Sequence, residues 1–290
     1  MAQRLFRMQY VSDIHLEFYK KCPFALLLKP NARYLALAGD IGQPNTQIWN
    51  SFFTYVNDHW DRVFYVTGNH EYYSKRTPIN TIHNTIKESL KPFTRVTLLD
   101  SSQPDYFIAK ENVAVVGNTL WTEVPDSLVR TVEESMNDYT KIFEEEGKTV
   151  TVETLNNLHY AQKAQLLEKI QYYKYQKIPT VVITHHMPSY KLISPRFAGS
   201  PVNAAFASNC ENLMLPNVKC WIYGHTHNCA NSLIGKTMCI VNARGYPNES
   251  CPGFLRDAFY EFPIVYEDSE VNEEVVNSAV KPIEEEVLFI

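Results

Sequence analysis

No run of apolar residues in this 290-residue chain approaches the roughly 18 that a membrane-spanning helix needs. The longest tempting stretch, Phe24 to Leu28, is closed by Lys29-Pro30. The opening segment, MAQRLFRMQYVSD, has no apolar core of secretory length and is interrupted by Asp13. No membrane association and a cytoplasmic location are therefore expected. CxxC pairs are also missing. The six cysteines stand at 22, 210, 220, 229, 239 and 251, and the spacing of the middle four matches no zinc-site pattern, so reduced thiols, the middle four packed in the core, are expected. A basic surplus is absent as well. The formal net charge is −5, of which the eight acids and one base from Glu267 to Ile290 contribute −7, leaving +2 for the rest. A near-neutral body with an acidic tail predicts no strong nucleic-acid binding. There is no internal repeat and no low-complexity segment. With 45% hydrophobic and 20% charged residues, the composition excludes disordered, collagen-like and coiled-coil classes. The length accommodates one large domain or two small ones.

What is present is a recurring unit: a short apolar run that stops at metal-binding residue types. RMQYVSDIH ends at His15, RYLALAGD at Asp40, RVFYVTGNH at His70, PTVVITHH at His186 and VKCWIYGHTH at His227. Each run is rich in Val, Ile, Leu or Tyr and too short for a typical helix, so each predicts a buried strand. Helical spacing falls between them, over Asn45–Trp60, Ile79–Leu90 and Glu153–Tyr175. Further strands are expected at Thr94–Leu99, Asp105–Ile108, Val113–Val116, Thr237–Val241 and Phe259–Tyr266. Strand and helix in alternation predict an α/β architecture with mixed sheets. One domain over residues 1–266 is expected, with a helical insertion at about 122–178 that caps or flanks the site, followed by an acidic extension over 267–290.

Five clusters carry the chemistry: Asp13-Ile14-His15, Gly39-Asp40, Gly68-Asn69-His70-Glu71, His185-His186 and Gly224-His225-Thr226-His227. Two donors at i and i+2 on an extended backbone point to one side. Imidazole and carboxylate together suit divalent first-row metals. Donors at the carboxyl ends of several strands converge in one crevice. The glycines before Asp40, Asn69 and His225 permit sharp turns there. Asp13, His15, Asp40, Asn69, His185, His225 and His227 make seven candidate ligands. That is too many for one tetrahedral site and suits two metals that share a carboxylate and clamp a phosphoryl group. Two divalent cations against two carboxylates and a bridging hydroxide leave net positive charge to attract a phosphate.

The ordered set D-x-H, G-D, G-N-H-E, H and G-H-x-H resembles the calcineurin-like metallophosphoesterase superfamily. The resemblance implies two mixed β-sheets sandwiched between helices. It implies that Asp13, His15, Asp40 and His227 bind one metal and that Asp40, Asn69, His185 and His225 bind the other, with Asp40 bridging. It further implies attack by a metal-bridging hydroxide, with His70 as the general acid or a donor to the transition state. Mixed nitrogen and oxygen donors admit Mn, Fe, Zn, Co or Ni, with manganese favoured. The second motif reads Gly39-Asp40-Ile41-Gly42-Gln43-Pro44-Asn45 and lacks the Asp-Arg of the protein Ser/Thr phosphatase branch. Asn242-Ala243-Arg244-Gly245-Tyr246 is similar to a stretch in small single-domain members.

The remaining polar residues divide by context. Glu17 and Glu71 are expected to hold ligand histidines or loop amides. His186 is expected to point away from His185 into the core. Arg244 could clamp a substrate phosphate or form a loop salt bridge. Asn118 and Trp121 could line the cleft. His59, His83 and His159 read as packing or surface residues; Tyr72 and Tyr73 read as packing residues that could also shape the pocket. The expected activity is that of a metal-dependent phosphoric ester hydrolase on a small phosphoester. A small or nucleotide-like phosphodiester is favoured; a phosphomonoesterase is the alternative, and a non-catalytic metal-binding scaffold a remote one. Nothing in the sequence sets an oligomeric state.

Overall fold

The computed structural model describes residues 4–264. The acidic extension expected over 267–290 and the boundary at 266 lie outside the described residues. In chain order the elements are β1 (Arg4–Val11), α1 (Phe24–Leu27), β2 (Tyr34–Ala38), α2 (Gln47–His59), β3 (Arg62–Val66), α3 (Ile79–Leu90), β4 (Val96–Leu98), β5 (Asp105–Ile108) and β6 (Val113–Asn118). They continue with α4 (Val129–Ser135), α5 (Asp138–Lys141), β7 (Phe143–Glu145), β8 (Lys148–Thr149), α6 (Val152–Tyr175), β9 (Thr180–Thr184), β10 (Val218–Ile222), β11 (Cys229–Ile234), β12 (Thr237–Asn242) and β13 (Phe259–Ile264).

The strands form two mixed sheets. One runs β13-β1-β2-β3-β4, parallel except for the β13–β1 pair. The other runs β11-β12-β10-β9-β6-β5, parallel in its middle and antiparallel at both edges. They pack face to face through Met8, Ala36, Phe64 and Val66 of the first and Val115, Val181, Ile183, Ile222 and Ile240 of the second. Helices α2 and α3 cover the outer face of the first sheet, and the later half of α6 covers that of the second through Leu166, Ile170 and Tyr173. The strands are short and continuously apolar because both faces are buried.

The helices follow their apolar stripes. Thr46 caps α2 by accepting from the Trp49 amide at 3.3 Å. That cap contributes about 1 kcal/mol. Burying Phe52, Phe53 and Val56, all fully enclosed, contributes about 1.5–3 kcal/mol each. Packing, not capping, therefore holds the helix against the sheet.

Two elements differ from the sequence reading. Residues 122–178 contain not only helices but the hairpin β7–β8, which turns at Gly147 with φ 78°. Its EEEGKT sequence is charged, and only the tertiary wall behind Phe143 shows it to be extended. The segment is also rooted in the core, through Val132, Tyr139, Ile142 and Leu155. Strand β11 has little apolar alternation; it forms as an edge partner of β12 across a turn at Gly235.

Candidate metal centre

All five clusters sit just past the carboxyl ends of parallel strands: β1 and β2 supply Asp13, His15 and Asp40, β3 supplies Asn69 and His70, β9 supplies His185, and β10 supplies His225 and His227. The backbone there is not extended. Asp13, His15, Asp40, His225 and His227 adopt φ of 53°, 54°, 53°, 66° and 43°. Asp13 and His15 converge on one cluster because both residues turn left-handed beyond the strand, not because of strand pleating, while His225 and His227, also left-handed, serve different clusters. This corrects the extended-backbone reading. The loops hold each other in this form: the Asp13 amide donates to Gly39 O at 3.0 Å, that of His15 to Asp40 O at 3.0 Å and that of Gly224 to His185 O at 2.9 Å.

Gly39 serves the expected turn, and the other two glycines serve a different purpose. Only Gly39 of the three has positive φ, 84°. Gly68 and Gly224 are there because of close approach. A Cβ on Gly68 would lie 2.6 Å from the Asp40 amide, and one on Gly224 2.7 Å from Ala38 O.

The donors gather in two clusters, Asp13/His15/His227 and Asp40/His185/His225. In the first, His15 Nδ1 donates to Glu17 Oε1 at 3.1 Å and His227 Nδ1 donates to Glu249 Oε2 at 2.6 Å. With Nδ1 the donor in each ring, Nε2 is the nitrogen left to act as a ligand, and the two Nε2 atoms face each other at 2.9 Å. In the second, His185 Nδ1 donates to Ala38 O at 2.9 Å, so its Nε2 faces the Asn69 Oδ1 acceptor at 3.1 Å and Asp40 Oδ1 at 3.5 Å. Facing acceptors repel unless a cation lies among them. His225 also has a buried Nε2 without a hydrogen-bond partner. Asp40 spans both groups: its Oδ1 lies toward His185, while its Oδ2 is 3.8 Å from His15 Nε2. The donor set thus fits two divalent cations sharing Asp40.

Electrostatics agree. Burial drives His185 and His225 well below the usual imidazole range, which keeps them neutral and available as ligands. Burial, followed by the Glu71 and Asp13 carboxylates, pushes Asp40 well up. Cations at the site would reverse that shift.

The supporting residues have clear partners. Glu71 accepts from the amides of Asp40, Ile41 and Gly68 at 3.1, 2.8 and 2.8 Å and from the Tyr65 hydroxyl at 2.8 Å. Glu17 bonds both His15 and His70, each at 3.1 Å. Burial raises its pKa, but the hydrogen bonds from the two histidines outweigh this and hold it at about 2. His186 is buried behind His225, ring centroids 4.5 Å apart, and burial brings it down to about 4. Asn118 and Trp121 are buried and do not line the cleft.

Three features escaped the sequence reading. Asp138, buried on α5, accepts from Asn69 Nδ2 at 2.8 Å and from the Tyr73 hydroxyl at 2.6 Å, which aims Asn69 Oδ1 at His185. Glu249 orients His227. Tyr246 lies with its ring centroid 4.4 Å from that of His15 and its hydroxyl 3.2 Å from His70 Nε2. Arg244, in contrast, does not reach the cleft. The chain turns at Gly245 and presents Tyr246 instead, leaving the guanidinium 5.9 Å from the Phe254 ring centroid. None of these placements has a local signal; each depends on a loop brought from elsewhere in the chain.

A cavity of about 330 Å³ opens beside the clusters, with Asp40, Asn69, His70, His225 and His227 among its lining residues. Its size suits a small molecule. The fold and the donor set define a metal-dependent phosphoric ester hydrolase. Residues 10–229 match the family model for calcineurin-like phosphoesterases. The chain belongs to that family. It is 26% identical over 267 residues to an uncharacterised protein of Acanthamoeba polyphaga mimivirus, covering 83% of this chain and 92% of that one. Its fold is similar to that of the phosphopantetheinyl hydrolase of Mycobacterium tuberculosis, with TM-score 0.66 and 17% identity over 83% of this chain and 89% of that one. It is also similar to a dimetal phosphatase of Danio rerio, with TM-score 0.51 and 12% identity over 81% and 86%. Among the described residues no helix is long and apolar enough to cross a membrane.

Proposed function

We propose that this phosphoesterase hydrolyses a small phosphodiester in preference to a monoester. Asp13, His15, Asp40 and His227 would hold one divalent cation and Asp40, Asn69, His185 and His225 the second, with manganese the favoured metal. The observation that carries the reading is the pair of acceptor clusters, each facing inward, with one oxygen of Asp40 toward each. Two divalent cations bound there supply positive charge for the phosphoryl oxygens and a nucleophile from water at neutral pH.

The residues of the chain do the rest. Glu71 and Asp138 fix the loop carrying Asp40 and the amide of Asn69. Glu17 accepts from His70 Nδ1 and so orients the ring, with Nε2 turned to pass a proton to the leaving oxygen as the P–O bond breaks. The Tyr246 hydroxyl lies 3.2 Å from that Nε2. The diester preference is supported by apolar walls around the cavity, which leave room for organic groups beside the reacting phosphate. The missing Asp-Arg after Asp40 supports a small-molecule substrate over a phosphoprotein. Six free cysteines agree with a cytoplasmic location.

The test compares bis-p-nitrophenyl phosphate with p-nitrophenyl phosphate, using manganese-loaded protein. Faster diester hydrolysis is expected, with kcat lowered by about 10²–10⁴ in His70→Ala. Asp40→Asn should abolish turnover while leaving the circular dichroism spectrum unchanged. Faster monoester cleavage would overturn the substrate preference, and no hydrolysis of either ester would overturn the enzymatic reading.

A further inference from the structure

The cavity has two unlike sides. One is the polar cluster. The other comes from residues 187–206, which contain none of the ligand motifs, and includes Met187, Ile193, Phe197 and Phe206. Met136, delivered by the segment before α5, joins this apolar side. Arg196 also lines the cavity and is the only lysine or arginine to do so among the described residues. Like Arg244, which does not line the cavity, it rests on an aromatic ring rather than on a carboxylate. Arg4, Arg7, Arg33 and Arg130 pair with carboxylates, while Arg62 and Arg95 donate to carbonyls. Arg196 lies over the face of Phe197, 4.6 Å from guanidinium carbon to ring centroid. The carboxylates lining the same cavity, Asp40 and Glu249, are both engaged at the metal clusters.

A guanidinium propped on an aromatic face keeps its five N–H donors in a planar fork suited to phosphate or carboxylate. An apolar wall with exposed aromatic carbon suits a flat or hydrophobic organic group. A single cation does not suit a polyanionic strand, which needs a series of them. Resting on the phosphodiesterase reading, we infer that residues 193–206 form a subsite for the non-reacting end of the substrate. The substrate is a nucleotide-like phosphodiester whose organic group carries an aromatic ring and a second anionic group. The ring lies against Phe197 and Phe206, and the second anion pairs with Arg196. Residues 193–206 thus set specificity, while the metal clusters set the reaction.

The experiment measures kcat and KM for manganese-loaded enzyme on thymidine 5′-(p-nitrophenyl phosphate), with and without a 3′-phosphate, for wild type, Arg196→Ala and Arg196→Lys. Arg196 is exposed, so folding is not at stake. The 3′-phosphate should raise wild-type kcat/KM about tenfold, mainly through KM, as one charge-assisted bidentate contact would. Arg196→Ala should erase that advantage and leave the substrate without the 3′-phosphate within about twofold. Arg196→Lys should restore part of it, because the charge remains and the fork is lost. Equal wild-type rates on the two substrates, or an equal loss on both in Arg196→Ala, would overturn the subsite while leaving the phosphodiesterase reading intact. No turnover of either substrate or of bis-p-nitrophenyl phosphate would overturn that reading and the subsite together.

Discussion

Five of the seven candidate ligands hold a left-handed backbone that costs an L-residue roughly 1–2 kcal/mol. Asp, Asn and His tolerate this region better than β-branched residues do, and each such ligand is tied to another loop by a hydrogen bond of its backbone or side chain. Orientation is then completed from outside the motifs. Asp138 is the clearest case, because it satisfies both the Asn69 amide and the Tyr73 hydroxyl, and Tyr73 in turn lies 4.3 Å from the His70 ring, centroid to centroid. Asp138→Ala frees both. Losing a partner that orients a ligand typically costs about 10–100-fold in metal affinity or activity. Manganese titration should show one of two sites weakened by that factor, with the circular dichroism spectrum retained. Two sites of unchanged affinity would refute the positioning role.

At the scale of elements, α3 is tied to the loop after β4 by one carboxylate. Asp100 accepts from His83 Nε2 at 2.8 Å and from the Ser102 and Gln103 amides at 2.7 and 2.8 Å. Burial raises its pKa, but the hydrogen bonds from His83, Ser102 and Gln103 outweigh burial and hold it far below the usual carboxylate range. A folded-state pKa below the unfolded value of about 3.9 means stability that is full above about pH 4 and lost as the pH falls further. Wild type should therefore lose denaturation midpoint more steeply below pH 4 than Asp100→Asn does. Parallel curves in urea titrations across that range would show that the carboxylate does not couple α3 to pH. His83 sits in a helical stretch and reads from the sequence as surface or packing; its bond to Asp100 is visible only once α3 lies against the first sheet.

For the whole molecule, the candidate metal centre would join two sheets that otherwise meet through apolar contacts. Asp13, His15, Asp40 and Asn69 come from the first, and His185, His225 and His227 from the second. Cations bound to the folded state alone stabilise it by RT ln(1 + [L]/Kd), about 4 kcal/mol at a thousand-fold excess over Kd. Stripping metal with a chelator should lower the melting temperature by several degrees, and adding manganese should restore it. An unchanged melting temperature would mean that the facing donors do not hold cations at the concentrations tested.

The order D-x-H, G-D, G-N-H-E, H, G-H-x-H was enough, by itself, to determine the class of chemistry and the strand ends that carry it. Buried strands are continuous apolar runs, and a ligand cluster after each one is a local, readable pattern. The helices at 47–59 and 79–90 were legible for the same reason, since their apolar spacing is local. Tertiary structure alone decided the rest. It put Tyr246 rather than Arg244 at the cleft, brought Asp138 against Asn69 and set Arg196 in the cavity wall. It also made left-handed turns, not an extended strand, the means by which Asp13 and His15 converge. The first three are contacts between segments separated by many tens of residues, and the turns are held by hydrogen bonds from the loop at Gly39 and Asp40; both are fixed by the packing of two sheets and their helices, and no spacing along the chain encodes them.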